Sequence, residues 1–195
     1  KRAGDFDIAG KVLSQATDIM TRKLIAFFIE QHGPVPMGYC WVVYGSQARE
    51  DQTMGSDQDN ALLLAQSPNE AEAEYFKQMA EYVCKGLGKC GIKLCDGNIM
   101  ASNPELRLSV DDAVVQAKKW INQPTPEAIL EFNIFLDARA VEGDHSLFKN
   151  LQQRRKPLFK NDFFLAALAR DANSYAVPLS VFNKFVYRKH NGKKD

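Results

Sequence analysis

Two short runs carry residue types and spacings that can do chemistry. They are Gly45-Ser46-Gln47-Ala48-Arg49 and Ser56-Asp57-Gln58-Asp59-Asn60. Side chains alternate faces along a strand, so Asp57 and Asp59 point the same way if the second run opens one. Two carboxylates side by side repel each other. A hard divalent cation with oxygen ligands removes that penalty, and Mg²⁺ is the usual one beside phosphates, with Mn²⁺ an equal fit to the ligand type. A pair of this kind can hold two metals, one activating an attacking hydroxyl and one holding a triphosphate and its leaving pyrophosphate. Gly45 and Ser46 supply the complementary part. A glycine lets backbone approach a phosphate closely, and exposed amides with a hydroxyl donate to its oxygens. Arg49 adds a charge-assisted contact.

The elements around these runs must position them. Tyr39-Cys40-Trp41-Val42-Val43-Tyr44 is a run of β-branched and aromatic residues and reads as a buried strand that Gly45-Ser46 stops. Residues 47–56 form a polar connection. Asp57 to Ala65 reads as a second strand, apolar on both faces in its distal half and therefore central. Before them, Asp5 to Gln31 reads as a helix with Ile8, Val12, Ile19, Leu24 and Phe27 as its apolar stripe, ended by Gly33 and Pro34. After them, Ser67-Pro68-Asn69-Glu70 starts a helix, with Ser67 as cap and Glu70 closing a capping box. Its core face is Phe76, Met79, Ala80, Val83 and Leu87, and Gly86, Gly88 and Gly91 end it. Ile92 to Cys95 reads as a third strand and Asp96-Gly97-Asn98 as a turn. The remainder reads as helices: Val110–Ile121, Thr125 to about Val141, Ser146–Gln153, Asp162–Ser174 and Pro178–Arg188. The fold class is α/β (α+β): a small mixed sheet flanked by helices, followed by a helical region. The organisation expected is an N-terminal helix over 1–37, an α/β core over 38–110 and a helical substrate-binding region over 111–195.

The order strand, Gly-Ser, polar spacer, Asp-x-Asp, apolar strand resembles the DNA polymerase β-type nucleotidyltransferase superfamily. The run GSQAREDQTMGSDQDNALLL (45–64) resembles, more closely, bacterial nucleotidyltransferases that accompany CBS and cyclic-nucleotide-binding regulatory domains. CDGNIMASNP (95–104) and FLDARAVEGDHSL (135–147) resemble that family's later motifs, and there is a more distant similarity to the uridylyltransferase of nitrogen regulation. The resemblance runs from about Val12 to Tyr187 and is sharpest over 45–64. It implies an enzyme that moves a nucleoside monophosphate from a nucleoside triphosphate to a hydroxyl of a protein or small-molecule acceptor, in signal transduction. Gly45 and Ser46 then contact the triphosphate, and Asp57 and Asp59 ligate Mg²⁺ or Mn²⁺. The superfamily often adds a third carboxylate; Asp137 is the first choice here and Asp96 the other, with Arg139 a phosphate or substrate contact. Regulatory domains upstream in a longer chain are also implied. A regulatory nucleotide-binding module without turnover is the alternative, because the third acid is not evident.

Composition narrows the setting. Over 195 residues the formal net charge is +1, without the basic surplus of a dedicated nucleic-acid binder. Arg154-Arg155-Lys156 and the Arg188-Lys189 and Lys193-Lys194 tail read as solvated surface. The four cysteines, Cys40, Cys84, Cys90 and Cys95, form no C-x-x-C pair and read as buried or half-buried fillers in a reducing, cytoplasmic setting. No run approaches the roughly 18 apolar residues of a membrane span. The chain opens on Lys1 rather than Met, which suits a segment of a longer protein. His32 reads as a helix-end cap, Trp41 and Trp120 as core, and the aromatics Phe159, Phe163, Phe164, Tyr175, Phe182, Phe185 and Tyr187 as mostly helical core. Asn98 and Asn103 read as turn residues that cap backbone, with contact to nucleotide or substrate as the alternative, and Asp111-Asp112 as a helix N-terminus.

Overall fold

The computed structural model describes residues 3–125, Ala128, Ile129, Phe132, 135–174, 189–190 and 193–194. A four-stranded mixed sheet forms the centre, in the order β3-β2-β1-β4. Its strands are β1 (Tyr39–Tyr44), β2 (Asn60–Leu64), β3 (Arg107–Ser109) and β4 (Ala138–Gly143). β1 pairs antiparallel with β2 and β4, and β2 pairs parallel with β3. Six helices flank the sheet among the described residues: α1 (Ala3–His32), α2 (Gly45–Arg49), α3 (Glu70–Lys89), α4 (Val110–Asn122), α5 (His145–Arg155) and α6 (Asp162–Ser174). The α/β class expected from the sequence is the observed one. Lys189–His190 and Lys193–Lys194 pair with each other as a small separate ribbon.

Strand alternation sorts the core into two layers. Tyr39, Trp41, Val43, Leu62 and Leu64 face α1 and α3, where Ile25, Phe28, Phe76, Met79, Ala80, Val83 and Leu87 meet them. Cys40, Val42, Tyr44, Ala61 and Leu63 face the later helices through Val110, Val114, Trp120, Ile121, Phe132, Leu151 and Phe164. Every residue of β1 and β2 is buried, as a strand covered on both faces requires. The α3 stripe and the core placement of Trp41 and Trp120 hold.

Several local expectations change. Ile8, Val12, Ile19 and Phe27 are exposed, and the buried face of α1 is Ser14, Thr17, Asp18, Thr21, Ile25 and Phe28. Periodicity is the same, but the docked face is polar. Thr17 and Thr21 hydroxyls donate to the carbonyls of Leu13 and Thr17, so burying them leaves no donor unmet. The α3 cap is Asn69, whose side chain and Glu72 complete the capping box, while Ser67 donates instead to Asp112 Oδ2 at 3.0 Å. α3 also runs through Gly86 and Gly88. Gly86 is there for closeness, since a Cβ would come 2.6 Å from Leu24 Cδ2 of α1. Ile92–Cys95 is no sheet strand; it lies along the approach to β2, where Asp57 and Lys93 form an isolated bridge. The third strand is Arg107–Ser109, three residues long and without periodicity to read. The helix expected to reach Val141 gives way by Ala138 to β4, whose pairing with β1 overrides local propensity. Phe163 is exposed where core was expected, and Phe164 carries that role. Pro178–Arg188, with Tyr175, Phe182, Phe185 and Tyr187, lies outside the described residues.

Candidate metal and phosphate site

Gln58 and Asn60, the residues interleaved with the acids, build the site. Gln58 is buried on the α3 side of the sheet and donates Nε2 to the carbonyls of Cys84 at 3.1 Å and Ile92 at 3.0 Å. Its backbone N–H donates to Lys93. Asn60 is also buried, donates its N–H to the Ile99 carbonyl and accepts from the Ala101 N–H at 2.8 Å through Oδ1. The 92–101 segment is thereby fastened to the start of β2 at both ends. Cys95, between those fastenings, is brought to the acids.

Asp57, Asp59 and Cys95 each offer a ligand atom within 4.8 Å of the others, all three half-buried. No Lys or Arg among the described residues lies within ion-pair distance of either acid. Burial holds the Asp59 carboxyl above the usual carboxylate range. The Cys95 thiol bonded to it works against that shift, and the neighbouring Asp57 charge adds to it. Burial also pushes the Cys95 thiol up, and Asp59 pushes it further. A pair of carboxylates without a cation, one resisting ionisation, with a third donor converging, is an arrangement a divalent cation fits. Read as a filler in the sequence, Cys95 is the third corner of this cluster.

The Gly-Ser turn stands against the same acids. Tyr44 donates its N–H to the Asp59 carbonyl at 2.9 Å, which aligns the end of β1 with the acid pair. Gly45 has φ +53°, a conformation that favours glycine, and a Cβ there would lie 3.4 Å from Asp59 Oδ2. Its N–H is occupied by the Asp137 carbonyl at 3.0 Å. Ser46 is half-buried one residue on, in the first turn of α2, where backbone N–H groups have no partner within the helix.

The residues expected further out go elsewhere. Arg49 donates to Asp137 Oδ2 at 2.8 Å and Asp51 Oδ2 at 3.0 Å, and both bonds raise its pKa. Asp137 thus meets Arg49 and is not among the clustered ligand atoms. Asp96 is exposed and pairs with Lys93 at 2.7 Å. Arg139 forks onto Asp18, Nη1 to Oδ2 at 2.6 Å and Nη2 to Oδ1 at 3.2 Å, and reaches the Gln47 carbonyl at 3.0 Å. Gln47 Nε2 donates to the same Asp18 at 2.9 Å. This network locks α1, α2 and β4 together beneath the turn. Asp18 was hidden in the sequence as one polar residue of a helix; the signal that could have revealed it is the i, i+3, i+4 series of small polar residues around it. Asn103 caps the 3₁₀ turn Pro104–Leu106 by accepting from Glu105, as a turn asparagine does. His32 Nδ1 donates to the Phe28 carbonyl at 3.0 Å at the end of α1, the expected helix-end role.

Residues 1–127 match the family described as "Putative nucleotidyltransferase DUF294". The chain belongs to that family. None of the curated proteins searched matches the chain. The family match spans α1 through α4 and so contains Gly45, Ser46, Asp57, Asp59 and Cys95, while β4, α5 and α6 lie beyond it. Nucleotidyl transfer is the activity the family's description names, and a nucleoside triphosphate is the substrate such transfer implies. No helix among the described residues is long and apolar enough to cross a membrane.

Proposed function

We propose that the chain transfers a nucleoside monophosphate from a nucleoside triphosphate to a hydroxyl on a protein or small-molecule acceptor. The single observation that carries this reading is the Asp57-Asp59-Cys95 cluster, its ligand atoms within 4.8 Å of one another and without a paired cation among the described residues, beside the Gly45 turn. Asp57 and Asp59 would hold Mg²⁺ or Mn²⁺, with Cys95 as a further donor. A divalent cation held there supplies positive charge to phosphate oxygens and acidity to a hydroxyl near it. Gly45, lacking a side chain, leaves room beside Asp59. The Ser46 hydroxyl and the amides of α2 that follow Gly45 donate to phosphate oxygens. Asp18 and Arg139 keep α2 in place from below. The region from 111 onward, which besides its helices contributes β4 to the sheet, is proposed to receive the acceptor. The family resemblance supports a bacterial, cytoplasmic enzyme of signal transduction, governed by regulatory domains elsewhere in a longer chain.

A regulatory nucleotide-binding module without turnover is the second reading. One observation favours it: the third corner is a thiol, whereas Asp137 and Asp96 are paired with Arg49 and Lys93. The two readings separate in one assay, pyrophosphate release from each common nucleoside triphosphate with Mg²⁺ or Mn²⁺ and candidate acceptors. The enzyme releases pyrophosphate and Asp57→Asn/Asp59→Asn does not. Metal-dependent binding without release by any nucleotide favours the module.

A further inference from the structure

Arg155 is a buried cation with no counter-charge among the described residues. The run Arg154-Arg155-Lys156 reads as solvated surface, and Arg154 conforms, pairing with Asp111 at 2.6 Å. Arg155 does not: it is 6 % exposed. Its guanidinium makes one hydrogen bond, Nη2 to the Phe135 carbonyl at 3.2 Å, and lies 5.9 Å from the Phe132 ring centroid. Nε is buried without a partner, and no carboxylate among the described residues pairs with the group. Arginine cannot shed its proton to escape this situation, so an unpaired guanidinium in an apolar setting carries a large desolvation penalty.

The side chain lines a cavity of about 40 Å³ with Tyr44, Gln116, Trp120, Phe135 and Leu151. That is room for about three waters, or for a group of three heavy atoms. The walls are apolar except at Arg155, Gln116 and the Tyr44 phenol, which is close enough to Arg155 to feel its charge. We propose that this cavity binds a carboxylate anion of the size of formate, its two oxygens on the Arg155 fork and its C–H end against Trp120 and Phe135. The guanidinium fork matches a planar carboxylate bidentately. A tetrahedral oxyanion would leave oxygens facing apolar walls. The occupant would touch Tyr44, which precedes Gly45, yet its binding needs neither metal nor nucleotide and stands apart from the transfer reaction.

The test is thermal unfolding and calorimetric titration of the whole chain, without metal or nucleotide, in formate against butyrate, chloride and sulfate at matched ionic strength. Wild type gains stability saturably with formate and not with butyrate, chloride or sulfate. Arg155→Met, which fills the same space without charge, folds and loses carboxylate affinity by roughly tenfold or more. Arg155→Lys keeps the charge but not the fork and is also weakened; it carries the test if Arg155→Met does not fold. No saturable response in wild type, an equal response in both variants, or an equal response to butyrate, chloride or sulfate would overturn the proposal.

Discussion

Gly45 and Asp59 are in contact across the end of β1 and the start of β2, so that a methyl group on Gly45 would lie 3.4 Å from Asp59 Oδ2. The turn favours glycine for its φ of +53°, while a methyl group there would sit at ordinary van der Waals distance from the acid. Gly45→Ala is expected to destabilise the protein by about 1–2 kcal/mol through the backbone alone. The methyl group would rest against Asp59 Oδ2 and take up space that a cation or phosphate would use, so divalent-cation binding should also weaken. Urea unfolding and a metal titration check the two effects separately. A fully stable variant with unchanged metal affinity would show that the turn and the acid do not meet.

Cys95 is expected to tune which metal the site prefers. Thiolate is a softer ligand than carboxylate and favours Mn²⁺ or Cd²⁺ over Mg²⁺. Cys95→Ser should therefore lower Cd²⁺ affinity by about tenfold or more while changing Mg²⁺ affinity far less. Cobalt-loaded protein gives a direct readout, because a sulfur-to-metal charge-transfer band present in wild type should vanish in the variant. An unchanged spectrum would remove Cys95 from the ligand set.

The Asp18–Arg139 pair is expected to matter for stability before it matters for chemistry. Asp18 is buried and receives both guanidinium nitrogens and the Gln47 amide. Asp18→Ala leaves a partly buried guanidinium without its partner and should cost about 2–4 kcal/mol. Denaturant unfolding measures this, and a loss below half a kcal/mol would mean that Arg139 finds water or another acceptor at no cost.

The pH dependence follows from Asp59. Its carboxyl binds a proton more tightly in the folded protein than in the unfolded chain, mainly because of burial. Its contribution to stability is therefore complete below the ordinary carboxylate range and is lost as pH rises through the raised folded value. Asp59→Asn removes that loss. Without metal and at neutral pH, the variant should melt higher than wild type, on a scale of ~2–4 °C per kcal/mol gained. The advantage should shrink as the pH falls through the carboxylate range. Calorimetric scans with a chelator at several pH values test this, and a melting difference independent of pH would assign the effect to something other than ionisation.

Much of the site was legible because it is local. The strand Tyr39–Tyr44, the glycine after it and the acids at 57 and 59 follow one another closely, although β2 begins only at Asn60, so that the acids lie in the approach to the strand and not within it as the pattern over Asp57 to Ala65 suggests. The rest depends on long-range pairing. Cys95 reaches Asp59 only because Gln58 and Asn60, buried on the opposite face, fasten the 92–101 segment in place. Nothing in the run Cys95-Asp96-Gly97 shows that the first residue faces inward while Asp96 turns out to Lys93. β4 was read as helix because Ala138-Arg139-Ala140 suits a helix, and only β1 beside it makes it a strand. The polar face of α1 misled for a related reason: apolar periodicity points to a core, and this helix docks through Asp18 and two threonines.

Calorimetric titration of nucleoside triphosphates, with and without Mg²⁺ or Mn²⁺, on wild type and on Asp57→Asn/Asp59→Asn is the most direct test of the central claim. The account predicts that wild type binds at least one nucleotide in a metal-dependent manner and that the double variant weakens this by more than roughly 100-fold while remaining folded. Nucleotide binding that is indifferent to the metal and to both acids, or no binding by wild type at all, would contradict it.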